Sequence, residues 1–307
     1  MVGAVARRLA LLPLTLLGLA TVVFVLLHLL PGNPVEAMLA ESGAPASTIA
    51  MAVKRYGLSE PLPVQYLYYL RSLLRGDLGE SVTYGRPVAR VMAEQLPSSL
   101  LLGSVAFGIA LALGGGMGLL TARRPGTWLD ELGRLFSVAS VSVPTYWVGI
   151  LAIMLFSARL RWLPSSGEGN WRHLVLPAAT LGLATSGVVA RVVRSAILEV
   201  TRQTYIEVAE SKGLSERLLV GRHMLPAAAA PILAFLGLQM GFLLAGTAVT
   251  ETVFSRRGVG RLLVEAVLSK DYSLIQGCIL LAAATYAFAN TTADLLGMAL
   301  DPRLREG

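Results

Sequence analysis

Cysteine and histidine are scarce in this sequence of 307 residues, which contains one cysteine and three histidines. A single cysteine, Cys278, cannot form a disulfide within the chain or a cysteine metal cluster. The histidines, His28, His173 and His223, lie far apart and share no ligand spacing, so we expect no intrinsic metal site. No serine lies in a Gly-x-Ser-x-Gly or comparable nucleophile setting, and nothing therefore indicates hydrolytic chemistry.

Charged residues are also few, at 15% of the chain, whereas 54% of the residues are hydrophobic and the mean hydropathy is +0.64. This apolar content exceeds that of an ordinary soluble domain of the same size. The phosphate-binding sequence Gly-x4-Gly-Lys-Ser/Thr is absent, and the pair Gly258-x-Gly260 lacks its Lys-Ser/Thr ending. We therefore expect that this chain binds no cofactor and does not hydrolyse ATP alone.

Long apolar runs are abundant, and a run of roughly 20 helical residues crosses about 30 Å of hydrocarbon. Six runs are long enough, at residues 9–30, 98–122, 135–158, 174–193, 227–249 and 275–300. They predict an all-α polytopic membrane protein with six transmembrane helices, in which residues 1–307 form one transmembrane domain. The first run follows Arg7 and Arg8 but is long for a signal peptide and has no small-residue cleavage site after it, so we interpret it as a retained anchor.

The distribution of basic residues predicts the orientation of these helices. Six spans place both termini on one side, where the short loops and ends hold thirteen basic residues against seven in the short loops opposite. Loops longer than about 60 residues do not follow this rule, so the segment 31–96 is left out of the count. Both termini and the loop 194–226 are therefore predicted to be cytoplasmic. The net charge of +7 then suits anionic lipid headgroups and requires no nucleic acid.

The external segment 31–96 opens with Pro31-Gly32-Asn33-Pro34, which predicts the end of a helix. Apolar residues then recur at helical spacing from Leu62 to Leu74, and Gly76 follows as a C-cap. This pattern predicts an amphipathic helix at the outer membrane interface. A second short helix is expected after the glycine pair at 258 and 260, within the external segment 251–273.

A polar, helix-forming insert lies between two apolar runs at residues 205–226. Its spacing is Glu207-x-Ala209-x3-Gly213-x9-His223-x-Leu225-Pro226. It predicts two short helices, at about 203–212 and 214–221, with a sharp break at Gly213, because glycine adopts the left-handed conformation readily. Ala209 would allow close approach of another surface, and Glu207 could pair with a basic group on it. The alternative is an ordinary surface hairpin held against its own bundle.

This spacing resembles the cytoplasmic coupling loop of ABC-importer permeases, with Val208 and His223 as departures from the usual pattern. The chain as a whole resembles the B-type permease subunit of dipeptide, oligopeptide and nickel importers. The resemblance rests on this loop and on three further strings: GDLGES at 76–81, ETVFSRRGVGRLLVEAVLSKDYSLIQG at 251–277 and LDPRLR at 300–305. The resemblance implies a type I importer fold in the inner membrane of a bacterium or archaeon. It also implies that five residues contact an ATPase: Glu207, Ala209, Gly213, Leu225 and Pro226.

The resemblance further implies partners. These are a homologous C-type permease, two ATPase subunits that bind ATP and Mg, and an extracytoplasmic substrate-binding protein. Di- or oligopeptides are the expected cargo, with nickel, metal-chelator complexes and glutathione as alternatives. An ion-coupled secondary transporter and an intramembrane protease are rival interpretations from other classes.

Two polar groups within the spans are candidates for the translocation path. Asn290, Thr292 and Asp294 lie in the sixth span, where a charge is costly and faces the bundle interior by default. Ser140 and Ser142 lie in the third span, ahead of Pro144. The alternatives are that Asp294 pairs with Arg303 or Arg305, and that the serines form hydrogen bonds between helices.

Overall fold

A computed structural model of the chain describes residues 2–29, 45, 47, 51 and 59–300, with side chains for 13–29, 45, 47, 51, 59–241, 247–293 and 295. The predicted helix stop at 31–34, the side chain of Asp294, and Arg303 with Arg305 lie outside the described residues.

Ten helices and one β-hairpin make up the part of the chain from residue 2 to 29 and from 59 to 300. The helices are α1 (Val2–Leu29), α2 (Leu62–Leu74), α3 (Val88–Ala122), α4 (Trp128–Ser142), α5 (Thr145–Arg159), α6 (Arg172–Thr201), α7 (Thr204–Ser211), α8 (Glu216–Leu218, Leu219–Met224 and Leu225–Val253), α9 (Val259–Leu268) and α10 (Tyr272–Leu300). Short π-helical stretches interrupt α3 and α8 without ending them, and another forms the last part of α5. The strands β1 (Glu80–Ser81) and β2 (Arg86–Pro87) pair antiparallel. The predicted all-α class is confirmed.

Four of these helices, α3, α6, α8 and α10, are long and apolar enough to cross a membrane. The pair α4 and α5 gives a fifth span if it is counted as one. Helix α1 is not counted among them, because its apolar part with described side chains, Pro13–Leu29, is shorter than the four spans. The described residues therefore give four spans, or five with the bent pair, where the sequence predicts six.

The third predicted span, 135–158, is broken at Pro144. Helix α4 ends at Ser142, Val143 is extended, and α5 restarts at Thr145 with a bend of 97° between the two helices. The cause is Pro144, whose ring disfavours helical geometry in the residue before it. The sequence predicts one span at 135–158, and the structure divides it into two helices at Pro144.

The second arm of the 205–226 hairpin also differs from its prediction. A separate helix at 214–221 was expected, but the helix begins at Glu216 and continues into the long apolar part of α8. A single helix from the second arm into the apolar part of α8 is favoured because Leu219, Val220 and Met224 are all buried in one hydrophobic cluster. The arm is thus the first turns of a membrane-spanning helix.

Glycine allows close packing between the long helices. A side chain at Gly237 or Gly241 of α8 would overlap Ala293 or Tyr286 of α10. A Cβ at Gly182 of α6 would lie 2.8 Å from the Ile109 side chain of α3. Small residues at such contacts are typical of membrane helices, which associate through close packing because lipid tails are as apolar as their own side chains.

The end of the bundle that carries α7 is called the hairpin end, and the opposite end the far end. At the far end, α2 packs against α1 as the predicted amphipathic helix. The hydroxyls of Thr21 and Tyr66 lie 2.7 Å apart, and the Phe24 ring stacks on Tyr69 at 5.5 Å between centroids. Gly76 follows with a φ of +74°, as expected for the C-cap. The second predicted external helix is α9.

Candidate functional site

The turn between α7 and α8 has the left-handed glycine that its spacing predicts. Gly213 has a φ of +76°, and its amide donates to the carbonyl of Glu210 at 2.9 Å. A Cβ built at this position would meet nothing within 4 Å. Backbone conformation alone therefore favours glycine here over β-branched residues, and the turn lies at the exposed tip of the hairpin.

One side chain of α7 fixes the hairpin to the bundle. Ile206 is fully buried in a cluster with Val193 and Ile197 of α6 and with Leu219 and Val220 of α8. Ala209, one turn later, packs against the same cluster. Full burial of an isoleucine side chain that would otherwise contact water contributes roughly 1.5–3 kcal/mol. The orientation of α7 is set by this contact, which the sequence analysis did not identify.

The opposite face of the hairpin is open. Glu207 is exposed, and its carboxylate forms no hydrogen bond or ion pair with any described residue. Beside it, Tyr205, Val208 and Leu218 have relative exposures of 49%, 46% and 44%. Leu225 and Pro226 are exposed at the start of the long part of α8. The five predicted contact residues thus divide: Ala209 packs inward and Gly213 forms the turn, whereas Glu207, Leu225 and Pro226 remain accessible.

Two ion pairs connect the end of α3 and the start of α4 to neighbouring helices at the hairpin end. The Arg123 guanidinium donates to Glu216 Oε1 at 2.6 Å, which joins the end of α3 to the start of α8. Arg194 of α6 donates two bonds to Asp130, at 2.7 and 2.8 Å, and the Asp130 side chain is only 2% exposed. Sequence analysis missed both pairs because their partners are separated by more than 60 residues.

One of the predicted polar residues of the sixth span, Thr292, borders an apolar groove. Thr292 lines a cavity of about 370 Å³ between α3, α8 and α10, whose other lining residues include Phe107, Met240 and Phe288. Its hydroxyl donates to the Phe288 carbonyl at 2.8 Å, within its own helix. Asn290 is half-buried. A role for these residues in a translocation path stays a prediction.

The serines of the third span lie elsewhere. Ser140 donates to the carbonyl of Phe136 at 2.8 Å and packs against Gly187 of α6. Ser142 is exposed in the last turn of α4. Ser140 and Ser142 do not line the groove that contains Thr292.

A buried carboxyl group joins three helices at the far end. Glu251, in the last turn of α8, is fully buried; it accepts a hydrogen bond from Ser99 of α3 at 2.6 Å and one from the Arg261 amide of α9 at 2.9 Å. Ser99 in turn accepts from the Val259 amide at 2.8 Å. Gly258 lies so close that any Cβ would overlap the carboxyl group. This contact explains why the first residue of the Gly-x-Gly pair is glycine. The only signal of the buried Glu251 in the sequence was an acidic residue at the end of an apolar run.

A second carboxyl group fixes the β-hairpin to the same end. Asp271 is 1% exposed and accepts from the Ser81 hydroxyl at 2.5 Å and the Thr83 amide at 3.0 Å. Nearby, burial and a hydrogen bond to Glu265 raise the pKa of Tyr84, so its hydroxyl remains a donor at neutral pH. The described residues contain no group of three or more histidine, cysteine or acidic side chains placed to hold a metal ion.

Comparison with protein families gives two matches that cover most of the chain. The family described as binding-protein-dependent transport system inner membrane component matches residues 114–306. Its N-terminal counterpart, the N-term part of the binding-protein-dependent transport system membrane component, matches residues 1–102.

Curated relatives are similar along their whole length. The glutathione transport system permease protein GsiC of Salmonella typhimurium is 38% identical over 299 residues, 97% of each chain. The di/tripeptide transport system permease protein DppB of Pseudomonas aeruginosa is 38% identical over 333 aligned positions, 99% of each chain. The dipeptide permease DppB of Alkalihalophilus pseudofirmus is 34% identical.

Among solved structures, a chain of the MetNI methionine ABC transporter in an inward-facing conformation has a similar fold. Its TM-score is 0.59 at 16% sequence identity, with 69% of this chain and 97% of that chain covered. This identity is low, so the likeness supports the fold of a type I ABC importer permease and nothing beyond it.

Proposed function

The chain belongs to the binding-protein-dependent transport system inner membrane components, the multi-pass permease subunits of bacterial ABC importers, and we propose that its α7–α8 hairpin couples ATP hydrolysis on a partner to solute movement. The observation that carries this proposal is the division of the hairpin into two faces. One is fixed to the bundle by Ile206, and the other presents Glu207 with no partner among the described residues.

Such a hairpin transmits force in a direct way. Because Ile206 and Ala209 pack on α6 and α8, displacement of α7 moves two membrane-crossing helices together. Because the second arm is continuous with α8, no flexible linker absorbs the movement. The exposed side chains of Tyr205, Val208 and Leu218 supply apolar contact area around a single carboxylate, a composition that suits docking to another protein.

The proposed orientation places the hairpin and both termini in the cytoplasm. The basic residues Arg123, Arg124 and Arg134 and those of the hairpin lie at the same end of the bundle, in agreement with the excess of basic residues in cytoplasmic loops. The far end, with α2, the β-hairpin and α9, then faces the outside. A binding protein would deliver solute at this outer end.

The proposed assembly contains this chain, a homologous C-type permease, two ATPase subunits with ATP and Mg, and a substrate-binding protein outside the cell. This chain lacks the Gly-x4-Gly-Lys-Ser/Thr sequence, so energy must come from a partner. ATP binding would draw the ATPase subunits together, move the hairpins, and reorient the paired permeases.

The proposed cargo is a short peptide. Two relatives reported above are named for di- or tripeptides and one for glutathione, which is itself a tripeptide. Glutathione is therefore the second candidate, favoured by the 38% identity to GsiC. Nickel and metal-chelator complexes appear in none of those three names.

Uptake measurements distinguish this function from an ion-coupled transporter. Cells that express the complete system take up labelled dipeptide, first with ATP depleted and the ion gradient intact, then with ATP present and the gradient collapsed. The proposal expects uptake only in the second condition. Uptake that survives ATP depletion would contradict it. The same cells given labelled glutathione distinguish the two candidate cargoes.

A further inference from the structure

A cavity of about 680 Å³ opens at the far end, between the end of α5, the 160–171 loop and the start of α6. This volume is within the range of roughly 300–1,000 Å³ typical of small-ligand sites. Its polar lining comes from six residues: Ser157, Arg161, Ser165, Asn170, Arg172 and His173. Among the described residues, no acidic side chain lines it.

The walls of this cavity are fixed by hydrogen bonds. The amides of Trp162 and Leu163 donate to the Phe156 carbonyl at 2.9 and 3.3 Å, and the Gly167 amide donates to the Phe254 carbonyl of α8 at 3.0 Å. Arg172 donates to the Trp162 carbonyl at 2.9 Å. Loop and helix are thus held together around the cavity, which indicates a formed site.

Several polar groups in the lining lack partners. Arg161 has a φ of +56°, a strained conformation for a residue other than glycine, and its guanidinium contacts no described acceptor. The Ser157 hydroxyl is buried and has no hydrogen-bond partner among the described residues. Two guanidinium groups and a free hydroxyl around one cavity are suited to an anion with several oxygens.

The surroundings of the cavity are those of a membrane surface. Along α5, Trp147, Ile150 and Met154 expose apolar side chains, with relative exposures of 45–59%. At the cavity itself, Trp162 and Trp171 are 59% and 72% exposed. Tryptophan is enriched at the level of lipid headgroups, at the end of the apolar part of a span. An anion bound here would therefore lie where phospholipid phosphates lie.

A second cavity at the far end has a different charge pattern. It has a volume of about 740 Å³, and its lining mixes three arginines with three glutamates, among them the bonded pairs Arg86–Glu94 and Arg261–Glu265. A zwitterionic solute suits such a balanced lining. The purely basic cavity at Arg161 suits a ligand of net negative charge instead.

We propose that the cavity lined by Arg161, Arg172 and Ser157 binds the phosphodiester headgroup of an anionic phospholipid, with its acyl chains along the apolar surface of α5. In the proposed orientation this lipid belongs to the outer leaflet. Basic residues are uncommon in short outer loops, so the presence of Arg161 and Arg172 there is consistent with a specific use. Lipid binding does not depend on the cargo or on the coupling role of the hairpin.

The experiment compares lipids that copurify with the complete complex from one membrane source. Phosphatidylglycerol per complex, relative to phosphatidylethanolamine, is measured by mass spectrometry for the wild type, Arg161→Gln and the double variant Arg161→Gln/Arg172→Gln. The double variant should retain about tenfold less phosphatidylglycerol, since each basic residue near anionic headgroups adds measurably to binding. Arg161→Lys should retain most of it because the charge remains.

The matched control is Arg75→Gln/Arg90→Gln, which removes two exposed charges from the same end of the bundle and leaves the cavity intact. It should retain the wild-type amount. Equal phosphatidylglycerol in the double variant and the control would overturn the proposal. If the double variant fails to assemble, Arg161→Gln alone decides the question, since Arg161 holds no described contact.

Two further arms separate a lipid from other anions. Washing the wild-type complex with inorganic phosphate should leave the lipid in place, because the acyl chains also bind; displacement by phosphate would show a site for small anions and contradict the proposal. Affinity for the substrate-binding protein is measured in parallel. A loss of that affinity in the double variant, with phosphatidylglycerol unchanged, would assign the cavity to an acidic protein surface instead.

Discussion

Gly213 is the residue whose backbone conformation determines the turn of the proposed coupling hairpin. Its φ of +76° with open space around the Cβ position means that a substitution acts through the backbone alone. Valine in this conformation costs about 1–3 kcal/mol, enough to shift the equilibrium away from the native turn by about fivefold or more. ATP-driven uptake by Gly213→Val should fall accordingly while the chain still inserts.

Gly213→Asn is the matched control, because asparagine tolerates left-handed geometry. It should transport at close to the wild-type rate when both variants are assayed for ATP-driven uptake in proteoliposomes. Normal transport by the valine variant, with ATPase subunits bound, would show that this turn plays no part in coupling.

Glu251 is the residue on which the far end depends. In Glu251→Gln, an amide donor would face the Arg261 amide or the Ser99 hydroxyl, both of which now donate to the carboxyl group. Loss of one such buried bond costs about 1–3 kcal/mol. The thermal unfolding midpoint of the purified complex should therefore drop.

Glu265→Gln, on the same helix α9, serves as its comparison because Glu265 pairs at the exposed surface. Surface pairs contribute about 0–1 kcal/mol, so the midpoint should change little. If both variants shifted the midpoint equally, the assignment of Glu251 as the anchor of α3, α8 and α9 would be wrong.

At the scale of elements, the contact between the end of α3 and the start of α8 rests on Arg123 and Glu216. The pair is partly exposed, so Arg123→Glu should lower the free energy of unfolding by no more than about 1 kcal/mol. It should nevertheless lower ATP-driven uptake, because repulsion from Glu216 displaces the second arm of the hairpin. The double variant Arg123→Glu/Glu216→Arg restores the attraction and should restore uptake. Failure of the double variant to recover would argue against this contact.

Elements defined by local pattern could be predicted from the sequence, and those defined by distant contacts could not. Helix α2 follows from the periodicity between Leu62 and Leu74, and the turn at Gly213 follows from the need for positive φ. The 97° bend at Pro144 could not be predicted from the sequence, because its size depends on how α4 and α5 pack on neighbouring helices. Ile206 and Glu251 were missed since their partners lie in other helices.

For the whole molecule, orientation is the first property to test. Ser165 at the far end and Ser215 at the hairpin end are both exposed, and Cys278, the single native cysteine, is 1% exposed. Ser165→Cys in intact cells should react with an impermeant thiol reagent, whereas Ser215→Cys should react only after the membrane is opened. The reverse labelling pattern would invert the proposed orientation.

The central claim is that this permease works through ATPase subunits docked on the face of α7 that carries Glu207. Purification through this chain should recover a homologous permease and an ATPase with the Gly-x4-Gly-Lys-Ser/Thr sequence that is missing here. The decisive measurement is the amount of each partner recovered with Glu207→Lys. The account predicts a selective loss of ATPase with permease pairing unchanged. Equal loss of both partners, or an active homo-oligomer without any ATPase, would contradict it.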